Sequence, residues 1–295
     1  MSAKKQINIQ DLISSKSKKI VDEAGSETLV LEDAHALRIA KECGCKIYDV
    51  YVTALKNGIC PYRYLRNRET ISLKQQLVLA ESRVAVIGAG GLGGQVILLL
   101  ARIGIGHLIV VDGDVFEETN LNRQALCNKN SLGKSKAKEA LASVETVNPG
   151  IKVSAYPVKL DSSNAVELLT GSDVIVDALD NVSDRFVLED ACKKLGIPLV
   201  HGALAGFEGR VMTIFPDDTG LKNLYGNKKG NENSSKSPEA VPGIPSLTPC
   251  LIAALQTMEV LKIILRRGKI FKNAMLYVDI ETGQMNELVF EKQKQ

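Results

Sequence analysis

Several features are missing from this sequence of 295 residues, and each absence excludes a class of protein. No two of its six cysteines are spaced as C-x-x-C, so the usual four-thiolate zinc pattern is absent and no structural zinc is expected. No apolar run approaches the roughly 18 residues of a membrane-spanning helix, and no signal peptide follows the N-terminus. A net charge of +3 is too small to favour a nucleic-acid partner. We therefore expect a cytoplasmic protein that binds no membrane.

The length and composition suit one large α/β domain with an appendage, since 45% of the residues are hydrophobic and 24% are charged. We divide the chain into residues 1–60 and 61–295. The first part begins with about 25 polar, lysine-rich residues, which we expect to form a loose or weakly helical leader. Two short helices, Glu32–Cys43 and Cys45–Leu55, are predicted to follow it. This part is therefore expected to be a small helical appendage.

The chain is organised around one glycine-rich stretch, Val84-Ala-Val-Ile-Gly-Ala-Gly-Gly-Leu-Gly-Gly94. Its four apolar residues predict a short buried strand, and Gly88, Gly90 and Gly93 follow at G-x-G-x-x-G spacing. The apolar run after Gly94 predicts a helix. A strand, a glycine turn and a helix N-terminus together make a nucleotide phosphate site, because glycine lets a phosphate approach the backbone amides closely.

Short strands alternate with helices from residue 83 onward, which is typical of βαβ units in an α/β protein. We predict a Rossmann-like, doubly wound, mainly parallel sheet, because right-handed crossovers place helices on both of its faces. The predicted strands are Val84–Gly88, His107–Asp112, Lys152–Pro157, Asp173–Ala178 and Pro198–His201. The predicted helices are Leu92–Ile103, Lys134–Val147, Asn164–Leu169 and Ser183–Leu195.

The pattern changes after Gly202, where we expect an antiparallel extension of the sheet. The elements predicted there are, in order, a strand (Gly209–Phe215), a long loop (Pro216–Pro249), a helix (Cys250–Arg267) and a hairpin (Met275–Ile280 and Glu287–Glu291). The helix is predicted to be amphipathic, with Gln256, Glu259 and Lys262 on one face. A loop as long as the predicted one is usually functional or disordered in a compact domain.

The residues that follow the second predicted strand bear on which nucleotide binds. The glycine motif and Asp112 alone predict NAD, because a carboxylate at the end of this strand can bond ribose hydroxyls. Asn120, Arg123 and Gln124 follow closely, and a dinucleotide site does not need them. A site that holds and neutralises a triphosphate does need such groups. Lys136, at the start of the next helix, brings a second positive charge to the same end of the sheet.

Asp180 and Asn181 follow the strand Asp173–Ala178, at the sheet edge where ligands of open α/β sheets bind. A carboxylate at this edge can hold Mg²⁺ against phosphate oxygens. Each residue type also has a structural interpretation: a solvated helix face for Lys136, a strand-end turn for Asp180 and an ion pair for Arg123. Their joint occurrence in this order favours phosphoryl or adenylyl transfer.

These residues carry a resemblance that runs from Tyr62 to the end of the chain. The chain resembles the ThiF/MoeB/HesA family, the bacterial relatives of ubiquitin-activating enzymes, and residues 1–60 lie outside the resemblance. The motifs that match are, in order, Arg66-Asn67, Gly88-Ala-Gly-Gly-Leu-Gly93, Asp112-x-Asp114, Asn120-Leu-Asn-Arg-Gln124, Lys136, Leu179-Asp-Asn181 and Ala254-Leu-Gln-Thr-Met-Glu-Val-Leu-Lys262.

The resemblance implies an adenylyltransferase that uses ATP and Mg²⁺ to activate the C-terminal glycine of a small ubiquitin-like sulfur-carrier protein of the MoaD or ThiS type, with release of pyrophosphate. It implies a homodimer in which Arg66 reaches the triphosphate of the other subunit. Asp112 would hold the ribose, Arg123 and Lys136 the phosphates, and Asp180 the Mg²⁺. The complete sets are Arg66, Arg123, Lys136 and Asp180 for catalysis, and Gly88, Gly90, Gly91, Gly93, Asp112, Asp114, Asn120, Gln124 and Asn181 for ATP binding.

The predicted loop Pro216–Pro249 matches the crossover loop of that family, which arches over the tail of the carrier. Many members have two C-x-x-C zinc pairs, and this chain has none. Some members have a reactive cysteine in the loop, whereas the nearest cysteine here is Cys250, just after it. Cys250 is either a buried side chain or a thiol whose ionisation a helix N-terminus favours.

Three other functions are open from the sequence. A family member that adenylates a tRNA base carboxylate is disfavoured by the small net charge. An NAD-dependent oxidoreductase would leave Arg123, Lys136 and Asp180 unexplained. A non-catalytic module that only docks a carrier is expected to have lost an ATP-binding residue, and none of the matched residues is missing. The leading prediction is therefore carrier adenylation for sulfur transfer in cofactor biosynthesis.

Overall fold

The structure is a computed structural model and describes residues 8–21, 25–226 and 243–290. The chain starts with a small unit of helices and strands. Its elements are α1 (Ile9–Lys16), β1 (Lys18–Val21), β2 (Glu27–Leu31), α2 (Asp33–Cys43), α3 (Ile47–Lys56) and β3 (Cys60–Pro61). The two predicted helices are confirmed as α2 and α3. The sheet β1-β2-β3 is not predicted from the sequence.

This small sheet has short strands and a pairing that is not local. β1 pairs antiparallel with β2, whereas the two-residue strand β3 pairs parallel with β2 across both helices. The leader expected to be loose or weakly helical contains α1, whose N-cap Asn8 accepts a hydrogen bond from the amide of Gln10. Residues 1–7 and 22–24 of that leader lie outside the described residues. The predicted boundary after residue 60 falls inside β3.

The main sheet has eight strands and follows the predicted alternation. Its strands are β4 (Arg83–Ile87), β5 (His107–Val111), β6 (Lys152–Tyr156), β7 (Val174–Asp177), β8 (Leu199–Ala205), β9 (Glu208–Ile214), β10 (Ala274–Asp279) and β11 (Gln284–Val289). They lie in the order β11-β10-β9-β8-β7-β4-β5-β6. The strands β4 to β8 pair in parallel, and β9, β10 and β11 are added antiparallel. The predicted mainly parallel sheet with an antiparallel extension is confirmed.

Helices cover both faces of this sheet. They are α4 (Leu73–Glu81), α5 (Gly91–Ile103), α6 (Lys136–Val147), α7 (Ala165–Leu169), α8 (Val182–Leu195), α9 (Lys222–Tyr225) and α10 (Leu247–Leu265). Val84 and Val86 of β4 enter one buried cluster with side chains of α5, α6 and α10, whereas Ala85 and Ile87 enter a second cluster with α7 and α8. Because successive strand residues point to opposite faces, β4 must be apolar throughout.

Helix α10 is longer and more apolar than predicted. It begins at Leu247, and Pro249 lies in its first turn. Proline is tolerated there because N–H groups of the first turn have no acceptor within the helix. The predicted loop therefore ends before Pro249, and its residues 227–242 lie outside the described residues. By length and composition α10 would be able to cross a membrane, so the expectation that no apolar stretch is that long is wrong. It is also 50% buried inside the protein, and core helices of soluble proteins can have the same length and apolar composition.

The polar face predicted for this helix is buried against the sheet. Gln256 and Glu259 are both 0% exposed. Gln256 Nε2 donates to the carbonyl oxygens of Asp177 and Val200 at 2.9 and 3.0 Å. Glu259 Oε2 accepts a hydrogen bond from Thr213 Oγ1 at 2.7 Å. The two polar residues thus bind groups of the sheet, and Gln256 joins the end of β7 to the start of β8.

The small N-terminal unit packs against the amino ends of the sheet strands. Lys152, the first residue of β6, has its ammonium 3.6 Å from the ring centroid of Tyr48. Tyr51 lies so close to Gly150 that an added Cβ would be 2.1 Å from its ring. Arg63 Nη1 donates to the carbonyl at the end of α6 at 2.8 Å. The unit therefore lies at the edge opposite the carboxyl ends of the strands.

We expect Asn148→Ala to lower the free energy of unfolding by about 2–3 kcal/mol, since it removes the hydrogen-bond partner of buried groups. Asn148 is 0% exposed. Its amide nitrogen donates to Tyr64 Oη and to the carbonyl of Ala101, both at 2.8 Å, and its oxygen accepts from the amide of Gly150. Urea unfolding measures the change, with the exposed Asn130→Ala as control. A loss below about 0.5 kcal/mol, the range of ordinary surface substitutions, would contradict this account.

Candidate active site

A cavity of about 750 Å³ opens at the carboxyl ends of β4, β5, β7 and β8, the edge where open α/β sheets bind ligands. The predicted site residues that line it are Gly88, Gly90, Gly91, Asp112, Asp114, Arg123, Gln124, Lys136, Asp180 and Asn181. Apolar side chains of Pro157, Val158 and Leu160 line one part of the cavity, and residues 202–204 line another. The fold therefore brings predicted site residues from five separate stretches of sequence to one place.

The glycine turn is built by close contacts. Gly88 has a φ of +94°, and an added Cβ would lie 2.6 Å from the carbonyl oxygen of Ala178. At Gly93 an added Cβ would lie 1.8 Å from the carbonyl oxygen of Gly88. Gly93 does not line the cavity; it lets α5 approach β4. Gly90 and Gly91 do line it, and they place the N-terminus of α5, with its unpaired amides, beside the cavity.

Asp112 follows β5, and backbone amides hold both oxygens of its carboxylate. The amide of Ala89 donates to Oδ2 at 2.7 Å, and the amide of Asp114 donates to Oδ1 at 2.8 Å. Burial raises the pKa of Asp112, although these two hydrogen bonds oppose the shift. Each carboxylate oxygen keeps acceptor capacity beyond one bond. Asp112 is therefore a fixed carboxylate at the cavity that can accept further hydrogen bonds.

Lys136 is a buried cation at the start of α6. Its side chain is 9% exposed, and its Nζ lies 2.9 Å from Oδ2 of Asp114. Asp114 is 73% exposed, so the partner of this lysine faces the open cavity. Ser135, the N-cap of α6, accepts a hydrogen bond from the amide of Lys138 and fixes the first turn. The helix start thus positions an ammonium group that neutralises negative charge in the cavity.

Three predicted residues lie on the segment after β5. Arg123 lines the cavity and donates to the carbonyl of Thr119 and to Asn122 Oδ1, both at 2.9 Å. Gln124 is buried beside Gly90, and its Oε1 has no hydrogen-bond partner among the described residues. Asn120 does not line the cavity; its Oδ1 accepts from the amide of Glu117 at 3.0 Å and stabilises the turn.

Asp180 and Asn181 lie beyond the end of β7. Asp180 is exposed to the cavity, and the side-chain amide of Asn181 lies 3.5 Å from its Oδ1. Asn181 is the N-cap of α8: its Oδ1 accepts from the amide of Asp184 at 2.8 Å. No group of three or more His, Cys, Asp or Glu side chains that could hold a metal occurs among the described residues. The expectations about zinc and Mg²⁺ stay predictions.

Arg66 does not line the cavity of its own chain. It lies in a short 3₁₀ helix, and the next residue, Asn67, donates to Gln76 Oε1 at 2.9 Å. Gln76 Nε2 in turn donates to the carbonyl of Ile103, the last residue of α5, at 2.8 Å. The glycine turn, residues 88–91, lies at the other end of α5. This helix has 13 residues and is therefore about 20 Å long.

Cys250 is exposed, so its interpretation as a buried side chain is wrong. It lies in the first turn of α10, and its Sγ accepts a hydrogen bond from Gln95 Nε2 at 3.2 Å. It does not line the cavity, although the neighbouring Pro249 lies near Gly91. A reactive role for this thiol stays a prediction.

A buried ionic network behind Asp180 is not predicted from the sequence. Asp177, Arg185 and His201 are at most 3% exposed. His201 Nδ1 lies 2.7 Å from Asp177 Oδ2, and Arg185 Nε lies 3.7 Å from the same oxygen. Asp177 belongs to the same short stretch as Asp180, which is a weak signal. Nothing in a single sequence marks Arg185 or His201 as its partners.

Residues 64–295 match the ThiF family. The chain is 39% identical over 201 residues to a SAMP-activating enzyme E1 of Haloferax volcanii, which covers 68% of this chain and 74% of that protein. It is 35% identical over 215 residues to a sulfur carrier protein adenylyltransferase of Thermus thermophilus, with 71% and 79% covered. It is also 35% identical to the adenylyltransferase and sulfurtransferase MOCS3 of Arabidopsis thaliana, of which it spans 52%.

Solved structures with the same fold include Escherichia coli MccB with succinimide, with a TM-score of 0.67 and 22% identity over 87% of this chain and 78% of that one. Another is the E. coli tRNA N6-threonylcarbamoyladenosine dehydratase TcdA, with a TM-score of 0.59 and 24% identity over 69% and 94%. At these identities the likeness concerns the fold alone.

Proposed function

The chain belongs to the ThiF family of ATP-dependent adenylating enzymes, and we propose that it activates a small ubiquitin-like sulfur-carrier protein. In this reaction the carboxylate of the carrier's C-terminal glycine attacks the α-phosphate of ATP, which gives an acyl-adenylate and pyrophosphate. The observation that carries the proposal is the cavity, where the glycine cradle, Arg123, Lys136 and Asp180 meet. Relatives named as SAMP-activating enzyme and sulfur carrier protein adenylyltransferase support this substrate class.

The chemistry needs charge neutralisation more than proton transfer. A carboxylate nucleophile is ionised at neutral pH, so no general base has to activate it. The enzyme must instead bring a carboxylate and a triphosphate together, which calls for cations placed where negative charge accumulates. Lys136 and Arg123 line the same cavity and supply two such cations. Neither has to move a proton in this scheme.

The residues of the cavity fit Mg²⁺ as a partner of ATP. Mg²⁺ in phosphate sites is bound by one or two carboxylates together with substrate phosphates and water. Asp180 offers one exposed carboxylate at the cavity. We therefore propose that Asp180 holds the ion, which would neutralise phosphate charge as pyrophosphate leaves.

We further propose that the enzyme is a homodimer whose interface includes α5 and α10. These two helices lie side by side, and each has apolar side chains that the core covers only in part. The partly or fully exposed apolar side chains are Leu98, Leu99, Ile103, Leu247, Leu251, Leu255 and Met258. Apolar side chains exposed on two adjacent helices favour an interface with another protein chain. A second copy of the chain is the proposed occupant.

Such a dimer gives Arg66 access to a phosphate site. Arg66 lies near the C-terminal end of α5, whereas the phosphate cradle lies at its N-terminal end. A two-fold axis perpendicular to the paired α5 helices places the C-terminal end of one beside the N-terminal end of the other. Arg66 of each protomer would then face the partner's cavity. The geometry within one chain thus favours action across the interface.

We propose a cytoplasmic location and a use in sulfur transfer for cofactor biosynthesis. All six cysteines are free thiols, which is the state that a reducing compartment maintains. The relatives named as sulfur carrier protein adenylyltransferase and as MOCS3 support a role in sulfur transfer.

We expect the affinity for adenosine to fall as the pH is lowered. The fall should begin at a higher pH than it would for an aspartate with an ordinary pKa. Burial raises the pKa of Asp112, so the free enzyme takes up a proton earlier on acidification. Hydroxyl donors of the ribose favour the ionised form, and protonation therefore opposes binding. Below the raised pKa, affinity should fall about tenfold per pH unit.

Isothermal titration calorimetry with adenosine measures this dependence. Adenosine is chosen because it has no phosphate group whose protonation would change with pH. The matched ligand 2′,3′-dideoxyadenosine lacks both hydroxyls and should lose no affinity over the same pH range. Equal pH profiles for the two nucleosides would remove Asp112 from the ribose site.

ATP–pyrophosphate exchange with a panel of carrier proteins ending in Gly-Gly tests the proposed function. Exchange that depends on one carrier is the expected result, and it would identify the partner at the same time. ATP binding without exchange on any carrier would contradict the proposal. Tight NAD binding without ATP binding would favour an oxidoreductase instead.

A further inference from the structure

The loop that carries Asp180 is held by two buried side chains, one on each side of a single residue. The amide of Leu179 donates to Asp177 Oδ1 at 3.0 Å. The carbonyl of Leu179 accepts from Arg185 Nη2 at 2.8 Å. Both polar groups of Leu179 are therefore bonded to side chains, and the loop cannot turn without breaking one of these bonds.

Asp180 itself has little to fix it. Its carboxylate is exposed, and its contact with the Asn181 side-chain amide, at 3.5 Å, is long for a hydrogen bond. The position of the carboxylate is therefore set by the backbone of the loop, and the backbone is set by Asp177 and Arg185. This makes the bond from Arg185 to Leu179 relevant to whatever Asp180 binds.

Arg185 is anchored by a second set of contacts. Its Nη1 lies 2.6 Å from Tyr225 Oη, and its guanidinium carbon lies 5.9 Å from the centroid of that ring. The Nε lies 3.7 Å from Asp177 Oδ2. A guanidinium that is 3% exposed is costly to bury unless it is paired and hydrogen-bonded. These contacts supply the pairing and fix the fork of donors in one orientation.

We propose that Arg185 is a positioning residue for the Mg²⁺ site: by holding the carbonyl of Leu179, it sets the place of the Asp180 carboxylate. This inference rests on the proposed adenylation, in which Asp180 holds Mg²⁺ with ATP. Groups that orient a metal ligand from behind change metal affinity by about 10- to 100-fold when they are removed. Arg185 also lines the cavity, and in this proposal it acts on the ion through Leu179.

The test compares three variants of the network with one control, all in the full chain. Arg185→Gln removes the charge and shortens the side chain, Arg185→Lys keeps one donor, and Tyr225→Phe removes only the hydroxyl that anchors Arg185. Arg210→Gln is the control: Arg210 also lies 5.9 Å from the centroid of the Tyr225 ring and does not line the cavity. Removing it takes one cation from the same ring.

The first readout is Mn²⁺ binding in the presence of a non-hydrolysable ATP analogue. The electron paramagnetic resonance signal of the free ion measures this binding. The second is the Mg²⁺ concentration that gives half-maximal pyrophosphate exchange. We expect Arg185→Gln to raise both metal concentrations by about tenfold or more, with smaller increases for Arg185→Lys and Tyr225→Phe. Arg210→Gln should leave both unchanged, and binding of the analogue without metal should be unchanged in every variant.

Metal half-saturation at the wild-type value in Arg185→Lys and Tyr225→Phe would overturn the proposal, whether or not Arg185→Gln folds. A fall in Tm without a change in metal half-saturation would mean that Arg185 is only structural. The proposed function can fail separately. In that case the wild-type protein would exchange no pyrophosphate with any carrier, while Mn²⁺ binding would still respond to Arg185.

Discussion

Lys136→Ala is expected to lower carrier-dependent ATP–pyrophosphate exchange by about 10² or more, the effect of removing one charge-stabilising donor from an active site. The ammonium of Lys136 lines the cavity and is 9% exposed, so its charge acts with little screening by water. The affinity for ATP should fall by a smaller factor than the rate of exchange, because the lysine neutralises negative charge that accumulates as the α-phosphate reacts.

The variant is expected to fold, which makes the loss of rate interpretable. The partner of Lys136 is Asp114, which is 73% exposed, so its carboxylate is not left buried without a counterion. Lys138→Ala is the matched control, since Lys138 lies on the same helix and is exposed. Arg123→Ala is expected to cause a loss of similar size. Near-normal rates in both Lys136→Ala and Arg123→Ala would remove these residues from the active site.

Co-expression of Arg66→Ala with Asp180→Asn should restore activity that neither variant has alone. Each homodimer lacks one residue at both sites and should exchange pyrophosphate about 10²-fold more slowly than wild type. In a mixed dimer, the Arg66→Ala chain keeps its own Asp180 and receives Arg66 from the partner, so one site is complete. With random pairing, half of the dimers are mixed, and recovery should reach about a quarter of wild-type activity.

A second pair of variants controls for mixing itself. Arg123→Ala with Asp180→Asn places both losses in the cavity of their own chain, and no arrangement of the two chains completes a site. This pair should show no recovery. If Arg66→Ala with Asp180→Asn behaves like it, then Arg66 does not act across the interface, and the proposed dimer geometry is wrong.

The parallel core is predictable because its signals are local. The residues of β4, β5 and β7 form apolar runs, and the glycine turn after β4 needs a close approach that the sequence pattern itself encodes. The carboxyl ends of these strands meet at one edge, so the order of the polar motifs predicts which of them share a cavity. Ten of the predicted site residues line that cavity for this reason.

The features that escape prediction depend on contacts between distant parts of the chain. β3 has two residues and exists through its pairing with β2, some thirty residues earlier in the sequence. The polar face of α10 is predicted by its helical period, but its burial depends on the carbonyls of β7 and β8 that Gln256 reaches. Arg185 lies on the helix that follows Asp180, yet only the folded chain brings its guanidinium to the carbonyl of Leu179.

The most direct measurement is the intact mass of the carrier protein after incubation with the enzyme and Mg²⁺–ATP, quenched in acid before the adenylate hydrolyses. The account predicts that a fraction of the carrier gains the mass of one adenylyl group, which is AMP less one water, and that a carrier without its last glycine gains nothing. The gain should disappear with Lys136→Ala and persist with Lys138→Ala. An unmodified carrier under conditions in which the enzyme binds both ATP and that carrier would contradict adenylation.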